Sequence, residues 1–362
     1  MTTTTAHDRR REERRRLARL VAEFADDPAP PPDLSVLLSA AAAVELYGGT
    51  TALLDAATIA HVDAGTVLRL SASGGSVAVV GPSQADNLAA LLDEHDRLLL
   101  LPGTYVLTAP LTLPPAGGVE LIAPWGVARF TVGFTSGLGA DDRTNALVTA
   151  IGTITAGTTI TADLDVGNPT FTLTSAAAIG AVDGSVLLIR GANDDDPESN
   201  GAGASTQTSD IVTALDVTGN VVTLDAPTRH RHSLGKAAYR ITARPTAITF
   251  EGIHFDGTGG DVAVGVRLDY ASDVVFKRCK FTQWSKSAID DLCGHDVRVE
   301  DWSTGGGLNG LYHSSSPVSP RILNGRTSPT GDRDHASGIP RHLVYVHDRP
   351  FDVRVNGNLF QH

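Results

Sequence analysis

The densest run of ionisable residues in this 362-residue chain is SAIDDLCGHDVRVED, positions 287–301. Two carboxylates flanking a scissile glycosidic bond can serve as general acid and base, or as acid and nucleophile. Asp290 and Asp291 are adjacent, so on a β-strand they face opposite sides and only one can line a groove. A hydrolase would then draw its second carboxylate from a neighbouring strand, with Asp256 or Asp301 available. Setting Ile289 opposite Val266 and Leu311 places Asp291 beside His313, and Asp290 beside Arg267 and Tyr312. The expected catalytic set is Asp290, Asp291 and His313, and the expected substrate-binding set is Arg267, Lys277, Lys280 and Tyr312. The competing structural reading is that the two aspartates cap a turn and pair with Arg267 or Arg278. Elimination beside a uronate carboxylate would use an Arg or Lys base and calcium-binding carboxylates. Lys277, Arg278 and Lys280 cluster suitably, but no acidic triad stacks beside them.

Other chemistries find less support. His313, His335, His342 and His347 lack the spacing of a metal-binding HExxH pair. Asp194, Asp195 and Asp196 lack the glycine and closing glutamate of an EF-hand loop. The stretch Thr304-Gly305-Gly306-Gly307 lacks the Lys-Ser/Thr of a phosphate cradle. Cys279 and Cys293 form no CxxC pair and are expected to be buried free thiols. No cofactor and no metal are expected.

The elements that would position these residues are short strands. Hydrophobic residues make up 41% and charged residues 19%, with 37 glycines and few aromatics, which suits β structure with tight turns. No apolar run reaches the roughly 18 residues of a membrane span, so no membrane insertion is expected. The net charge of −12 excludes a generally basic nucleic-acid binder. From residue 246 onward, similar segments begin at 248, 274, 297, 321 and 353, with a second apolar strand between each. A period near 24 marks a stacked coil, since one coil cannot bury its own apolar face. Equivalent residues would then stack about 4.8 Å apart. Phe250, Phe276, Val299 and Ile322 are expected to form one inward column, and Ile253, Cys279 and Trp302 another. Glu251, Lys277 and Glu300 are expected to stack outward, as are His254, Lys280, Ser303 and Arg326.

Upstream, residues 66–80 read as a hairpin, and Asp86 as the N-cap of a helix presenting Leu88, Leu91 and Leu92. The segment LLLLPGTYVLTAPLTLPPAGGVELIAP follows. It resembles the opening coil of the pectate-lyase-like right-handed parallel β-helix superfamily, which implies that fold. Residues 150–245 interrupt the pattern with alternating strands and a Gly219-Asn220 turn. They resemble the β-barrel-like insertion that many phage and bacterial β-helix proteins carry after the first coil. The phrase DD…GH resembles, weakly, the paired-Asp and Gly-His motifs of polygalacturonase-type glycosidases. There those motifs lie on successive coils, whereas Asp291 and His295 share one turn here, and the Asn-Thr-Asp and Arg-Ile-Lys motifs are missing.

Residues 9–19 carry seven arginines, Arg9, Arg10, Arg11, Arg14, Arg15, Arg16 and Arg19, followed by a Pro-rich linker. No continuous apolar core follows them, so no signal peptide is expected. The expected fold is mainly β: a right-handed parallel β-helix with an inserted antiparallel module and an N-terminal helical arm. Expected boundaries are 1–33 for the arm, 34–85 for an α/β adaptor, 86–149 for the first coil, 150–245 for the insertion and 246–362 for the later coils. The whole resembles bacteriophage tailspikes and minor tail proteins. That resemblance implies a virion protein made in the host cytoplasm, docked on tail or capsid proteins by its arm through Arg9, Arg10, Arg11, Arg14, Arg15 and Arg16. It further implies a homotrimer that presents its side to host surface polysaccharide, or alternatively a polysaccharide depolymerase.

Overall fold

The computed structural model describes residues 68–72, 75–123, 127–138, 142–192, 207–305, 310–315, 317–327, 343–347 and 352–358. The arginine-rich arm, the Pro linker, the acidic tip at 194–196, His335 and His342 lie outside them. The chain enters through a hairpin of β1 (Leu68–Ala72) and β2 (Gly75–Val80). A 3-10 turn over Pro82–Asn87 leads into α1 (Leu88–Glu94), which buries Leu88, Leu91 and Leu92 at helical spacing. Asp86 is not the N-cap expected from sequence, because the 3-10 turn carries the chain past it. Its carboxylate accepts hydrogen bonds from the Thr108 amide at 3.2 Å and hydroxyl at 2.5 Å.

Three strands then recur in a fixed order. The first coil is β3 (Arg97–Leu100), β4 (Gly103–Leu107) and β5 (Leu111–Thr112). The second is β6 (Glu120–Ile122), β7 (Ala128–Val132) and β8 (Ala146–Ile151). The inserted strands are β9 (Thr153–Ile154), β10 (Thr158–Thr159), β11 (Thr170–Thr172), β12 (Val186–Ala192), β13 (Gln207–Thr218), β14 (Val221–Leu224) and β15 (Ala237–Ala243). The winding resumes with β16 (Thr246–Glu251), β17 (Ile253–Asp256) and β18 (Val264–Asp269). Next come β19 (Ser272–Lys277), β20 (Lys280–Thr282) and β21 (Ser287–Leu292), then β22 (His295–Glu300), β23 (Ser303–Thr304) and β24 (Tyr312–Ser315). The last are β25 (Arg321–Leu323), β26 (Arg326–Thr327), β27 (Val344–His347) and β28 (Arg354–Asn356).

Each strand pairs in parallel with its counterpart one coil on. The sheets run β3-β6-β16-β19-β22-β25-β28, β4-β7-β17-β20-β23-β26 and β5-β8-β18-β21-β24-β27. This is a right-handed parallel β-helix. β2 joins the first sheet in parallel with β3, so the entry hairpin is continuous with the coils.

Period-2 alternation sets the core. Leu98, Leu121, Phe250, Phe276, Val299 and Ile322 pair in one buried column of the first sheet. Tyr105, Phe130, Phe255 and Phe281 pair in another on the second sheet. The Phe250–Phe276 and Phe255–Phe281 rings stack at 4.9 and 5.4 Å between centroids, close to the rung spacing. Ile253, Cys279 and Trp302 are buried as expected, and burial pushes the Cys279 thiol up to about 12. Glu251, Lys277 and Glu300 are in the expected register, but Glu251 is buried beneath an ion pair with Arg278 rather than displayed. At the corner between the first two sheets, Gly252, Arg278, Asp301 and Asn324 all have φ between +53° and +71°. That left-handed conformation suits Gly, Asn and Asp, and turns the chain within one or two residues.

The insertion occupies the link from β8 to β16, a place where each of the next two coils uses only two residues. Its strands pair antiparallel in the order β10-β15-β12-β13-β14-β11, and an Ile160–Leu173 bridge ties the first to the last. The closed ring has its own core, including Leu164, Phe171, Ile179, Leu187, Ile189 and Val222. Its outer Leu188, Ile211, Tyr239 and Ile241 pack on Tyr270, Leu292 and Cys293 of the β-helix.

Candidate functional site

On the outer face of the third sheet, strand register brings polar residues from five coils into one column: Thr149, Arg267, Asp290, His313 and Tyr345. The upstream half of this alignment follows the expected Val266–Ile289 and Arg267–Asp290 pairing. The downstream half differs by one residue. Ile289 lies opposite Tyr312, not Leu311, so Asp290 pairs with His313 and Asp291 with Ser314. A one-residue slip exchanges the faces of a strand, which moves His313 outward to Asp290 and Tyr312 inward.

Asp290 is only 2% exposed yet lies within reach of three donor side chains. Its carboxylate accepts from Arg143 Nε at 2.7 Å, Lys286 Nζ at 3.0 Å and His313 Nδ1 at 2.9 Å. Burial alone would raise its pKa. The His313 hydrogen bond and the Arg143 and Lys286 charges outweigh burial and hold the carboxyl well below the usual range. An ionised carboxylate only accepts, so His313 carries its proton on Nδ1. Arg143 also donates to Asp269 at 2.6 Å, and Arg267 pairs with the other Asp269 oxygen. The Arg143 guanidinium is largely buried, which alone would weaken it, but Asp269 and Asp290 raise its pKa. Outside this network the His313 and Tyr345 rings stack at 5.3 Å and 7°, with Tyr345 43% exposed.

Asp291 faces the interior. It is 1% exposed and accepts from the Tyr312 hydroxyl at 2.6 Å and the Ser314 hydroxyl at 3.0 Å. Burial is the largest influence, and it overrides these two bonds to push the carboxyl up to about 7. A Cβ on Gly294 would fall 2.2 Å from Asp291 Oδ1, so the glycine makes room for the carboxylate.

The structure therefore gathers Asp290, His313 and Arg267, and separates the rest of the expected set. Tyr312 is fully buried and bonds to Asp291, so it cannot meet a surface ligand. Lys277 lies on the first sheet and Lys280 on the second. Asp256 is buried on the second sheet beneath Arg129, and Asp301 occupies the corner between the first and second sheets. Arg143, Asp269, Lys286 and Tyr345 were missed. Lys286 was legible as a cation four residues before Asp290. Arg143 reaches in from the link before β8 and left no local signal.

The fold and this face define a parallel β-helix with a charged and aromatic outer column. No family model matches the chain, and no curated protein matches it. Among solved structures it is similar to the tailspike gp61 of Pseudomonas phage phi297 (TM-score 0.47, 14% identity, 91% of this chain and 48% of that one). It is also similar to the tailspike gp49 of Pseudomonas phage LKA1 (0.46, 16%, 75% and 44%). A third is the Gp54 tailspike of Acinetobacter baumannii bacteriophage AP22, solved in complex with A. baumannii capsular saccharide (0.35, 10%, 78% and 63%). The chain spans about half the length of the first two.

Proposed function

We propose that this chain is a tail-associated virion protein whose third-sheet face holds a host surface polysaccharide without cleaving it. One observation carries the reading: half-buried His313 stacks on exposed Tyr345 in the same column as Arg267 and an Asp290 held by Arg143, Lys286 and His313. Flat rings beside fixed charges suit a sugar, whose apolar face packs on an aromatic and whose hydroxyls bond to ions. Asp290 is held ionised, so it is a poor proton donor, and Asp291 faces away from any ligand on this side. The sequence resemblance to tailspikes adds the setting: the arginine-rich arm docks on tail or capsid proteins, and the chain assembles as a homotrimer.

The test is to incubate the protein with surface polysaccharide extracted from the host bacterium. Retention of polymer with no new reducing ends and no unsaturated-uronate absorbance supports binding alone. Product that disappears in Asp290→Ala would establish depolymerase activity and overturn the non-cleaving reading. For docking, removal of residues 1–27 is expected to abolish incorporation into particles, and normal incorporation would refute it.

A further inference from the structure

The inserted ring returns to the β-helix through Arg244-Pro245, and this link carries a charge that its surroundings do not balance. Arg244 is largely buried, and its Nε donates to the Tyr270 carbonyl at 3.1 Å. Its Nη2 is shut off from solvent and has no hydrogen-bond partner. No carboxylate offsets the guanidinium among the described residues, so burial acts alone and lowers its pKa. Arginine stays charged in proteins, and a buried charge without a counter-charge is costly. Arg244 therefore calls for an acceptor.

Two further nitrogen-bearing side chains share this seam between ring and helix. Arg229 lies on the loop between β14 and β15, and His295 opens β22. Burial first, then Arg244 and Arg229, lower the His295 pKa against the opposing pull of Asp296 and Asp273. The neighbouring carboxylates are committed elsewhere. Asp296 holds Arg298 and lies 3.8 Å from Arg321, and Asp273 lies 3.8 Å from Arg298. Asp210 accepts from the Arg229 and His230 amides and lies 3.0 Å from His232 Nε2. Asp269, beside Tyr270, is held by Arg143 and Arg267.

The surplus of donors continues along the ring face that turns Leu188 and Ile211 towards the helix. Arg190 and Ser209 pair in register there, two residues from that apolar pair. Arg190 Nε and the Ser209 hydroxyl are both buried without a hydrogen-bond partner, and Ser209 is only 4% exposed. A chain with a net charge of −12 thus collects positive charge and unmet donors where its two parts meet.

We infer that this seam is a binding site for a small oxyanion of the phosphate class, held by Arg244 and Arg229 with His295 beside them. A planar guanidinium matches two oxygens of such a group and gives charge-assisted hydrogen bonds. Since Arg229 belongs to the ring and His295 to the helix, a bound anion also fastens one to the other. The inference stands apart from the third-sheet reading and shares no ligand residue with it.

The experiment is calorimetric titration of the full chain with inorganic phosphate and with glycerol 3-phosphate, at an ionic strength fixed with sodium chloride. Saturable binding of inorganic phosphate is expected. Uptake of the ester as well would mark a site that admits a phosphomonoester, and uptake of the free ion alone a site closed around it; either supports the proposal. Arg244→Gln is expected to bind about tenfold more weakly, the scale of a lost charge-assisted contact. His313→Ala/Tyr345→Ala should bind phosphate like wild type. His295 gives a second readout that needs no variant: a bound anion beside it should move its NMR titration upward. Absence of saturable binding, undiminished binding by Arg244→Gln, or a His295 titration that phosphate leaves in place would each overturn the proposal.

Discussion

His313 and Asp290 lie 23 residues apart in sequence, yet stand side by side on adjacent rungs with Nδ1 2.9 Å from Oδ2. Parallel stacking alone makes them neighbours, and the same stacking sets Arg267 on the other side of Asp290. The His313–Asp290 contact is therefore a consequence of register. Arg143 and Lys286 arrive differently, from the links before β8 and β21, and Arg143 bridges Asp269 and Asp290.

That bridge predicts the effect of removing it. In Arg143→Ala, two buried carboxylates lose a shared cation, and uncompensated buried charge costs several kcal/mol, with about 3 kcal/mol expected here because Lys286 and His313 remain on Asp290. Asp290 contributes stability above its unfolded pKa, and that contribution is lost as pH falls towards its depressed folded value. With the depression reduced, acid unfolding should begin at a higher pH in the variant. Acid titration followed by circular dichroism checks this, and an unchanged acid midpoint would count against it.

Asp291 gives the opposite pH dependence. It keeps its proton up to about pH 7 when folded, whereas an unfolded chain releases it near 3.8. Its contribution is complete below about pH 4 and is progressively lost as pH rises to about 7, a matter of a few kcal/mol. Asp291→Asn has no proton to lose. Relative to wild type its urea midpoint should improve steadily between pH 4 and 7 and then level off. A pH-independent difference between the two proteins would show that Asp291 does not hold its proton.

The aromatic columns should dominate the stability of the coils. Phe255 touches the rings of Phe130, Phe250, Phe276 and Phe281, all fully buried. Phe255→Ala is expected to cost about 3–5 kcal/mol by lost burial and the cavity left behind. Equilibrium denaturation measures this, and a loss under 1 kcal/mol would mean the rings do not interlock as described.

The insertion should be dispensable for winding. The next two coils pass from third to first sheet through Tyr270-Ala271 and Cys293-Gly294. Replacing residues 152–245 with a two-residue turn gives the second coil the same link. The shortened chain is expected to unfold cooperatively and retain its β signal, with lower solubility because Tyr270, Leu292 and Cys293 lose their cover. Loss of cooperative unfolding would make the ring part of the helix's folding unit.

Much of this fold was readable because solenoid coils repeat. The spacing of 26 and 23 residues put Phe250, Phe276 and Val299 in the column where they are found. The column Tyr105, Phe130, Phe255 and Phe281 was overlooked, although Phe255 and Phe281 share the same 26-residue interval. The site was harder to read because register errors of one residue invert faces. In the third sheet the links vary in length, and nothing in GLNGLYHSSS marks Tyr312 rather than Leu311 as the partner of Ile289. Arg143 was invisible for a different reason: its partners are 126 and 147 residues away, across the insertion.

The most direct test of the proposed third-sheet site is calorimetric titration of host surface polysaccharide into wild type, Tyr345→Ala and Phe255→Leu. The account predicts that Tyr345→Ala weakens binding about tenfold, the scale of a lost aromatic contact with sugar, while the core variant binds like wild type. Equal affinity for wild type and Tyr345→Ala would contradict it.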